Sequence, residues 1–332
     1  MLGFQHLVRG TASPFVAAAY LALAVPASAQ TRDSTVAMPV EFVAGRFFVT
    51  PVTTAGDTLR FYTDTGGGLF VLDESVDVLG LAVDALASET DTLRVVRLPE
   101  LAPGEWIPDP TSGWGSGLPI LRPRPGQRTM DMGHGMLGQA WFGGRVWTFD
   151  YPAGRLLLHL DGAPAILEDA TTASLGFRTD STGHRVTQFP RIQAVVDGDT
   201  LDFLLDTGAT VFLTESAALE FDDGDLPTRA TSFITTEVFQ RWRVAHPDWR
   251  VLENADQTVD SMSMIEVPEV RIAGQAVGPV WFTQRPDAAF HEFMAQWMDR
   301  PVDGALGGNA FRFFRMTVDY PRARASFVRP GD

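Results

Sequence analysis

Two aspartates in this chain stand in matching tripeptides, Asp64-Thr65-Gly66 and Asp206-Thr207-Gly208. The same four residues, Gly-Asp-Thr-Leu, precede each tripeptide at the same distance, beginning at Gly56 and at Gly198. The two segments align without a gap and form an internal repeat. A single Asp-Thr-Gly is typical of an Asx-type turn at the end of a strand, whereas a matched pair indicates a site built from two carboxylates.

Such a pair of carboxylates can do acid–base chemistry. Two carboxylates in contact do not both ionise easily, so they share one proton. The charged member can take a proton from a water molecule while the protonated member donates to a carbonyl oxygen. This chemistry hydrolyses an amide without a nucleophilic side chain, a metal ion or a histidine. It requires that Asp64 and Asp206 meet, as they would if the two halves packed about a pseudo-twofold axis.

The elements that must position these aspartates read as β-strands. Short apolar runs, such as residues 46–50, 69–72 and 211–214, are separated by Gly, Pro and Asp, which is typical of all-β folds. We predict a mainly antiparallel all-β protein with a few short helices, at 215–219 and 287–298. An apolar strand before each tripeptide places its aspartate at a tight turn that leaves buried sheet, where an acid must be hydrogen-bonded or paired.

The two halves also match downstream of the tripeptides. Gly135-Met136-Leu137-Gly138 precedes Asp150-Tyr151-Pro152, and Gly304-Ala305-Leu306-Gly307 precedes Asp319-Tyr320-Pro321. We expect the two Asp-Tyr-Pro segments to close a strand into a turn. The interval from the tripeptide Asp to the last Gly is longer in the second half, so that half carries an insertion, which we expect in a surface loop.

These residues resemble the aspartic protease superfamily, specifically its retropepsin-like and pepsin-like branches. In that family Asp-Thr-Gly is the catalytic loop, and two apolar residues followed by Gly support it, as Met136-Leu137-Gly138 and Ala305-Leu306-Gly307 would here. The resemblance covers both halves and implies a bilobal aspartic-protease fold. Its two similar β lobes are related by a pseudo-twofold axis, with a substrate cleft between them. We predict the lobes at residues 36–162 and 173–330.

The resemblance also implies a function for individual residues. Asp64 and Asp206 match the catalytic pair of an aspartic endopeptidase, whose dyad activates water to hydrolyse a peptide or protein substrate without a cofactor or metal. The residues that would support the dyad, by bracing the two loops or by donating backbone N–H groups, are Thr65, Gly66, Thr207 and Gly208.

The chain departs from the family pattern in two places. Pepsins place Ser or Thr directly after the motif, whereas this chain has Gly67 and Ala209, the latter as in retropepsins. A hydroxyl bond to the carboxylates is therefore absent, which predicts a dyad less acidic than that of pepsin and activity in a milder acid range. The hairpin flap that closes over substrate in the family, with its usual tyrosine, cannot be located from the sequence.

The composition argues against several other classes of protein. The chain has no cysteine and no lysine, which excludes thiol nucleophiles, Cys-zinc sites, Schiff-base lysines and the phosphate-loop lysine. Its formal net charge of −15 disfavours nucleic acid and anionic membrane surfaces as partners.

The N-terminal segment predicts export. Residues 1–29 combine an apolar run at 15–25 with Ala27-Ser28-Ala29, a pattern typical of a cleaved secretory signal. We therefore expect a periplasmic or extracellular protein with no membrane insertion after signal cleavage, acting as a single-chain pseudo-dimer and hence a monomer.

Two alternatives stay open. A non-catalytic protein on the same bilobal scaffold would use its cleft to hold a peptide or a glycan. In the other, each lobe pairs with the same lobe of a second chain, which gives a dimer with two unlike sites.

Overall fold

Strands account for most of the regular structure, and the helices between them are short. The computed structural model describes residues 34–87, 92–109, 117–123, 130–162, 170–258 and 262–330. The predicted signal segment, 1–29, lies outside the described residues. Within them, every helix is too short or too polar to cross a membrane.

The first half of the chain, up to residue 162, contributes strands β1 to β11 and helices α1 and α2. In chain order they are β1 (Thr35–Ala37), β2 (Val40–Val43), β3 (Arg46–Val49), β4 (Phe61–Thr63), β5 (Leu69–Leu72), α1 (Asp73–Val78), β6 (Val83–Ala87), β7 (Thr92–Val96), β8 (Leu118–Leu121), β9 (Gly135–Leu137), α2 (Gln139–Phe142), β10 (Val146–Asp150) and β11 (Arg155–His159).

The second half, from residue 170, contributes strands β12 to β25 and helices α3 to α5. They are β12 (Thr171–Ser174), β13 (Arg191–Val196), β14 (Asp199–Leu205), β15 (Thr210–Phe212), α3 (Glu215–Phe221), β16 (Thr228–Ala230), β17 (Ser232–Thr235), α4 (Thr236–Ala245), β18 (Val251–Asp256), β19 (Met262–Val267), β20 (Val270–Ile272), β21 (Gln275–Val277), β22 (Val280–Arg285), β23 (Gly304–Leu306), α5 (Gly308–Phe311), β24 (Arg315–Asp319) and β25 (Arg324–Val328).

Each half forms a large sheet, and the two sheets share the arrangement of seven consecutive strands, β3 to β6 in the first order below and β13 to β18 in the second. The first runs β2-β3-β4-β9-β5-β8-β7-β6, and the second runs β21-β20-β13-β14-β23-β17-β22-β19-β18. In both, the strand before the tripeptide is parallel to the strand of the Gly-x-Leu-Gly segment. That strand is antiparallel to its next neighbour, β5 or β17. The predicted fold class, an all-β protein of two similar halves, is confirmed.

A third sheet joins the two halves. Its order is β1-β11-β10-β24-β25-β12, so β10 of the first half lies beside β24 of the second. At the centre of this antiparallel pair Thr148 faces Thr317, and their hydroxyl oxygens lie 2.7 Å apart. Both Asp-Tyr-Pro segments end a strand of this sheet, and the carboxylates of Asp150 and Asp319 accept N–H bonds within the turns that follow, as predicted.

The insertion of the second half begins directly after the second tripeptide. It is β17, and not β15, that takes the place of β5 beside the Gly-x-Leu-Gly strand, so residues 210–231 are additional. We expected a surface loop, but the segment contains β15, α3 and β16. Its buried Val211, Leu213 and Ala217 form a small core with β18 and β19. Those apolar residues would be costly to leave in a solvated loop.

The helices agree only partly with the sequence prediction. The helix predicted at 215–219 is α3, capped by the Thr214 side chain, which accepts the Ala217 N–H at 3.3 Å. The region 287–298 holds a π-helical turn, Ala289–Phe293, followed by a 3-10 turn, Met294–Gln296, instead of a regular α-helix. Helices α1, α2, α4 and α5 were not predicted.

Candidate active site

Both tripeptides leave the centre of a sheet by the same turn. The N–H of Asp64 donates to the carbonyl of Leu137 at 3.1 Å, and the N–H of Asp206 donates to the carbonyl of Leu306 at 2.9 Å. Each aspartate is thus anchored to the Leu of the neighbouring Gly-x-Leu-Gly segment. The matched spacing in the sequence therefore builds matched turns in the two halves.

The last glycine of each Gly-x-Leu-Gly segment allows this close approach. A Cβ on Gly138 would collide with the carbonyl oxygens of Gly67 and Gly68, and one on Gly307 would collide with that of Thr231. Since backbone atoms cannot move aside as a flexible side chain can, only glycine fits at these two positions. The supporting role that the family resemblance gives these segments agrees with this packing.

The two threonines of the tripeptides join the loops reciprocally. The Thr65 N–H donates to Oγ1 of Thr207 at 3.1 Å, and the Thr207 N–H donates to Oγ1 of Thr65 at 3.0 Å. The Thr65 hydroxyl in turn donates to the carbonyl of Leu205 at 2.7 Å. Both threonines are buried, so these bonds are not in competition with water.

We expect Thr65→Val to destabilise the fold by about 2 kcal/mol or more, because it leaves the Leu205 carbonyl and the Thr207 N–H buried without partners. Thr65→Ser keeps the hydroxyl and is the matched control, which should retain most of the stability. Denaturant unfolding measures both. Equal stability of the Val and Ser variants would contradict the bracing role.

The two aspartates face each other across this brace. A hydrogen bond joins their carboxyl groups, and each side chain is buried. Oδ1 of Asp64 accepts the Gly66 N–H at 2.7 Å, and Oδ1 of Asp206 accepts the Gly208 N–H at 3.1 Å. A Cβ on Gly66 would stand 2.6 Å from Cγ of Asp206, so each glycine lies against the opposite carboxyl group.

Burial raises the pKa of both carboxyl groups, and the two are raised unequally. The pKa of Asp206 lies well above its ordinary value, because of burial first and the neighbouring charge of Asp64 second. For Asp64, the hydrogen bond from Asp206 and the N–H groups of Gly66, Gly208 and Gly67 oppose the effect of burial on its pKa. Two carboxyl groups this close do not both ionise easily, so the pair keeps a proton to a higher pH than an isolated aspartate would.

The raised pKa of Asp206 predicts how the stability depends on pH. A carboxyl group whose pKa is raised in the folded state stabilises the fold below its unfolded pKa, and that contribution is lost as the pH rises through the folded pKa. Asp206→Asn keeps the shape without the ionisation. We expect the stability of the variant relative to the natural protein to increase between about pH 4 and pH 7. Thermal unfolding across this range tests it, and a constant difference would contradict it.

Tyr62 is a site residue that the sequence analysis missed. Its buried hydroxyl donates to the carbonyl of Gly208 at 2.6 Å and lies 2.8 Å from Oγ1 of Thr210. A strand residue of the first half thus holds the tripeptide loop of the second. Its counterpart in the repeat is Leu204. The only sign of this role in the sequence is therefore that a tyrosine, with its hydroxyl, stands where the other half has leucine.

The strand arrangement also locates a hairpin that the sequence did not reveal. Strands β6 and β7 pair with each other and continue the first sheet through β8, at Val95↔Pro119 and Val96↔Leu118. They correspond to β18 and β19 of the second half. The connection at 88–91 lies outside the described residues. No tyrosine occurs between residues 83 and 96, so the usual tyrosine of the family's flap could not mark it.

The second-half hairpin is held by contacts with the insertion and with β22. The Thr214 N–H donates to the carbonyl of Ala255 at 2.8 Å, and Asp256 of β18 forms an ion pair with Arg285 of β22 at 2.8 Å.

Among the described residues, no group of three or more His, Asp or Glu side chains is placed to hold a metal ion.

No protein-family model matches the sequence, and no curated protein matches it. Among solved structures, the chain is similar to the crystal structure of an aspartic proteinase from Irpex lacteus, with 10% sequence identity over 90% of this chain and 98% of that chain and a TM-score of 0.46.

Proposed function

We propose that this protein is an aspartic-type endopeptidase. The observation that carries the proposal is the pair of buried carboxyl groups of Asp64 and Asp206. They are hydrogen-bonded to each other and each is held by the N–H of its own glycine. Two carboxyl groups that share a proton supply a base and an acid in contact, which is what peptide hydrolysis by an activated water requires.

In the proposed mechanism the two aspartates have different tasks. Charged Asp64 takes a proton from a water molecule as the water oxygen bonds to the carbonyl carbon, and Asp206 donates its proton to the carbonyl oxygen. In the second step Asp64 passes its proton to the departing amine, and Asp206 recovers a proton from one hydroxyl of the intermediate. The C–N bond breaks, a carboxylic acid and an amine leave, and the dyad returns to its starting state.

One feature supports a monomer as the active form. The two loops are braced within one chain by Thr65 and Thr207, so a second copy is not needed to bring the carboxyl groups together. Export to the periplasm or the extracellular space remains a proposal based on residues 1–29.

The test is to incubate the protein lacking residues 1–29 with a mixed peptide library between about pH 2 and pH 8 and to identify the products by mass spectrometry. We expect cleavage at internal bonds with a bell-shaped pH profile that peaks in mild acid, because Gly67 and Ala209 provide no hydroxyl to stabilise the anion. A rate that still rises as the pH falls to about 2 would contradict the mild-acid expectation. Retention of peptides without cleavage at any pH would favour a binding protein instead.

A further inference from the structure

We propose that Met136 is a positioning residue of the dyad: its thioether fills the place where a side chain at position 67 would stand and so keeps a hydroxyl donor away from Oδ2 of Asp64. The effect on catalysis rests on the proposed function. The packing of Met136 against Gly67 is a property of the folded chain and holds whether or not the protein is a peptidase.

The geometry around Gly67 carries the proposal. A Cβ built on Gly67 would stand 2.5 Å from Oδ2 and 2.7 Å from Cγ of Asp64, and it would collide with Sδ of Met136. The thioether and the carboxylate oxygen thus lie on two sides of the same small space. Position 67 is glycine because that space is already occupied.

Met136 is not free to leave this space. It is only 7% exposed, and on β9 it lies opposite Tyr62 of β4 and Phe70 of β5. It packs in a cluster with further buried residues of the first half, namely Phe48, Leu72 and Met132. A larger residue at position 67 would therefore have to displace a packed side chain or the carboxylate itself.

The second half has a small side chain at each of the two equivalent positions. There the residue after the tripeptide is Ala209 and the counterpart of Met136 is Ala305, so neither carries a long side chain. Glycine after the tripeptide and methionine in the neighbouring strand occur together in the first half only. This is expected if the Met136 side chain occupies the space that a side chain at position 67 would need.

The contact has a chemical consequence for Asp64. Its described protein donors are backbone N–H groups and the carboxyl of Asp206, and a thioether sulfur has no hydrogen to donate. The other titratable groups that interact with it are the buried phenols Tyr62, Tyr151 and Tyr320, whose pKa values burial raises, so they are neutral in acid. Without a hydroxyl donor, Asp64 is a stronger base for the attacking water.

The first test is a double-mutant cycle read by thermal unfolding, which does not depend on activity. Gly67→Ser, Met136→Ala and the double variant are compared with the natural protein. We expect Gly67→Ser alone to lower Tm by about 5 °C. In the Met136→Ala background the clash with the sulfur is gone and only the contact with the Asp64 carboxyl group remains. The same change should then lower Tm by less, about 2 to 3 °C. Additive changes in Tm would overturn the proposal.

The second test measures the acid limb of the pH profile of kcat/KM for peptide cleavage. In the double variant the hydroxyl of the introduced serine can donate to Asp64, and we expect the limb to move down by about 0.5 to 1 pH unit. The matched control is Gly67→Ala with Met136→Ala, which adds the Cβ without the hydroxyl and should leave the limb where Met136→Ala alone places it. An unmoved limb in an active double variant would overturn the proposal.

The two readouts separate this proposal from the proposed function. If none of the proteins cleaves a peptide, the peptidase function fails, and the unfolding cycle still decides whether Met136 and Gly67 share one space. If cleavage is present and the cycle is additive, the peptidase function stands and the role of Met136 is refuted.

Discussion

Asp206→Asn and Asp64→Asn should each lower kcat/KM for peptide cleavage by at least about 1,000-fold. Asparagine has the shape of aspartate and can still accept the Gly208 or Gly66 N–H, so the loops should keep their geometry. It cannot exchange a proton between water, carbonyl oxygen and amine. The loss is therefore one of chemistry, and circular dichroism and thermal unfolding should show a folded protein in both cases.

The repeat supplies its own controls for this experiment. Asp57 and Asp199 stand at equivalent positions in the two Gly-Asp-Thr-Leu lead-ins and are exposed. Asp57→Asn and Asp199→Asn should leave cleavage within a few-fold of the natural protein. The double variant Asp64→Asn with Asp206→Asn should be about as inactive as either single one, because the two groups act as a unit. Cleavage by either single dyad variant within about tenfold of the natural rate would refute the dyad.

Asp256→Asn should destabilise the fold by about 3–5 kcal/mol. The Asp256 side chain is fully buried and that of Arg285 is 13% exposed, with 2.8 Å between their charged atoms. Oδ1 of Asp256 also accepts from both the N–H and the hydroxyl of Thr258. Removal of the carboxylate leaves the guanidinium, which lies over the ring of Phe233, buried without an opposite charge.

A matched surface pair tests whether burial is the cause. Arg271 and Glu269 are 2.7 Å apart, but their side chains are 51% and 54% exposed. Glu269→Gln should change the free energy of unfolding by no more than about 0.5 kcal/mol. Asp256→Asn combined with Arg285→Leu should recover part of the loss, since no charge is then left unpaired. Equal costs for Asp256→Asn and Glu269→Gln in denaturant unfolding would contradict the argument.

Replacing an aspartate in the buried ion pair and in the dyad should change the stability in opposite directions, although both aspartates are buried. Asp256 has a cation beside it, so its loss destabilises the fold. Asp206 has another carboxyl group beside it, so replacing it with a neutral amide should stabilise the protein at neutral pH. A site that holds like groups together at the expense of stability is typical of function, and this contrast in sign is measurable in one set of unfolding experiments.

The sequence alone determined the pair of aspartates, the supporting Gly-x-Leu-Gly segments and the all-β class. Each of these is encoded locally and then repeated, so matching two segments of the chain was enough. The family resemblance also implied the Thr and Gly of each tripeptide as supports. In the structure the two threonines bond to each other's loops, and each Gly N–H donates to the aspartate of its own tripeptide.

Only the tertiary structure decided which strand lies beside which. The segments after the two tripeptides align without a gap, and in the structure each forms a short apolar strand followed by a helix. Yet β5 joins the Gly-x-Leu-Gly strand, whereas β15 pairs with β16 and leaves that place to β17. Local pattern specifies a strand but not its partner, because partner choice depends on contacts between residues far apart in the chain. The roles of Tyr62, Met136 and Asp256 depend on such contacts, and no local pattern encodes them.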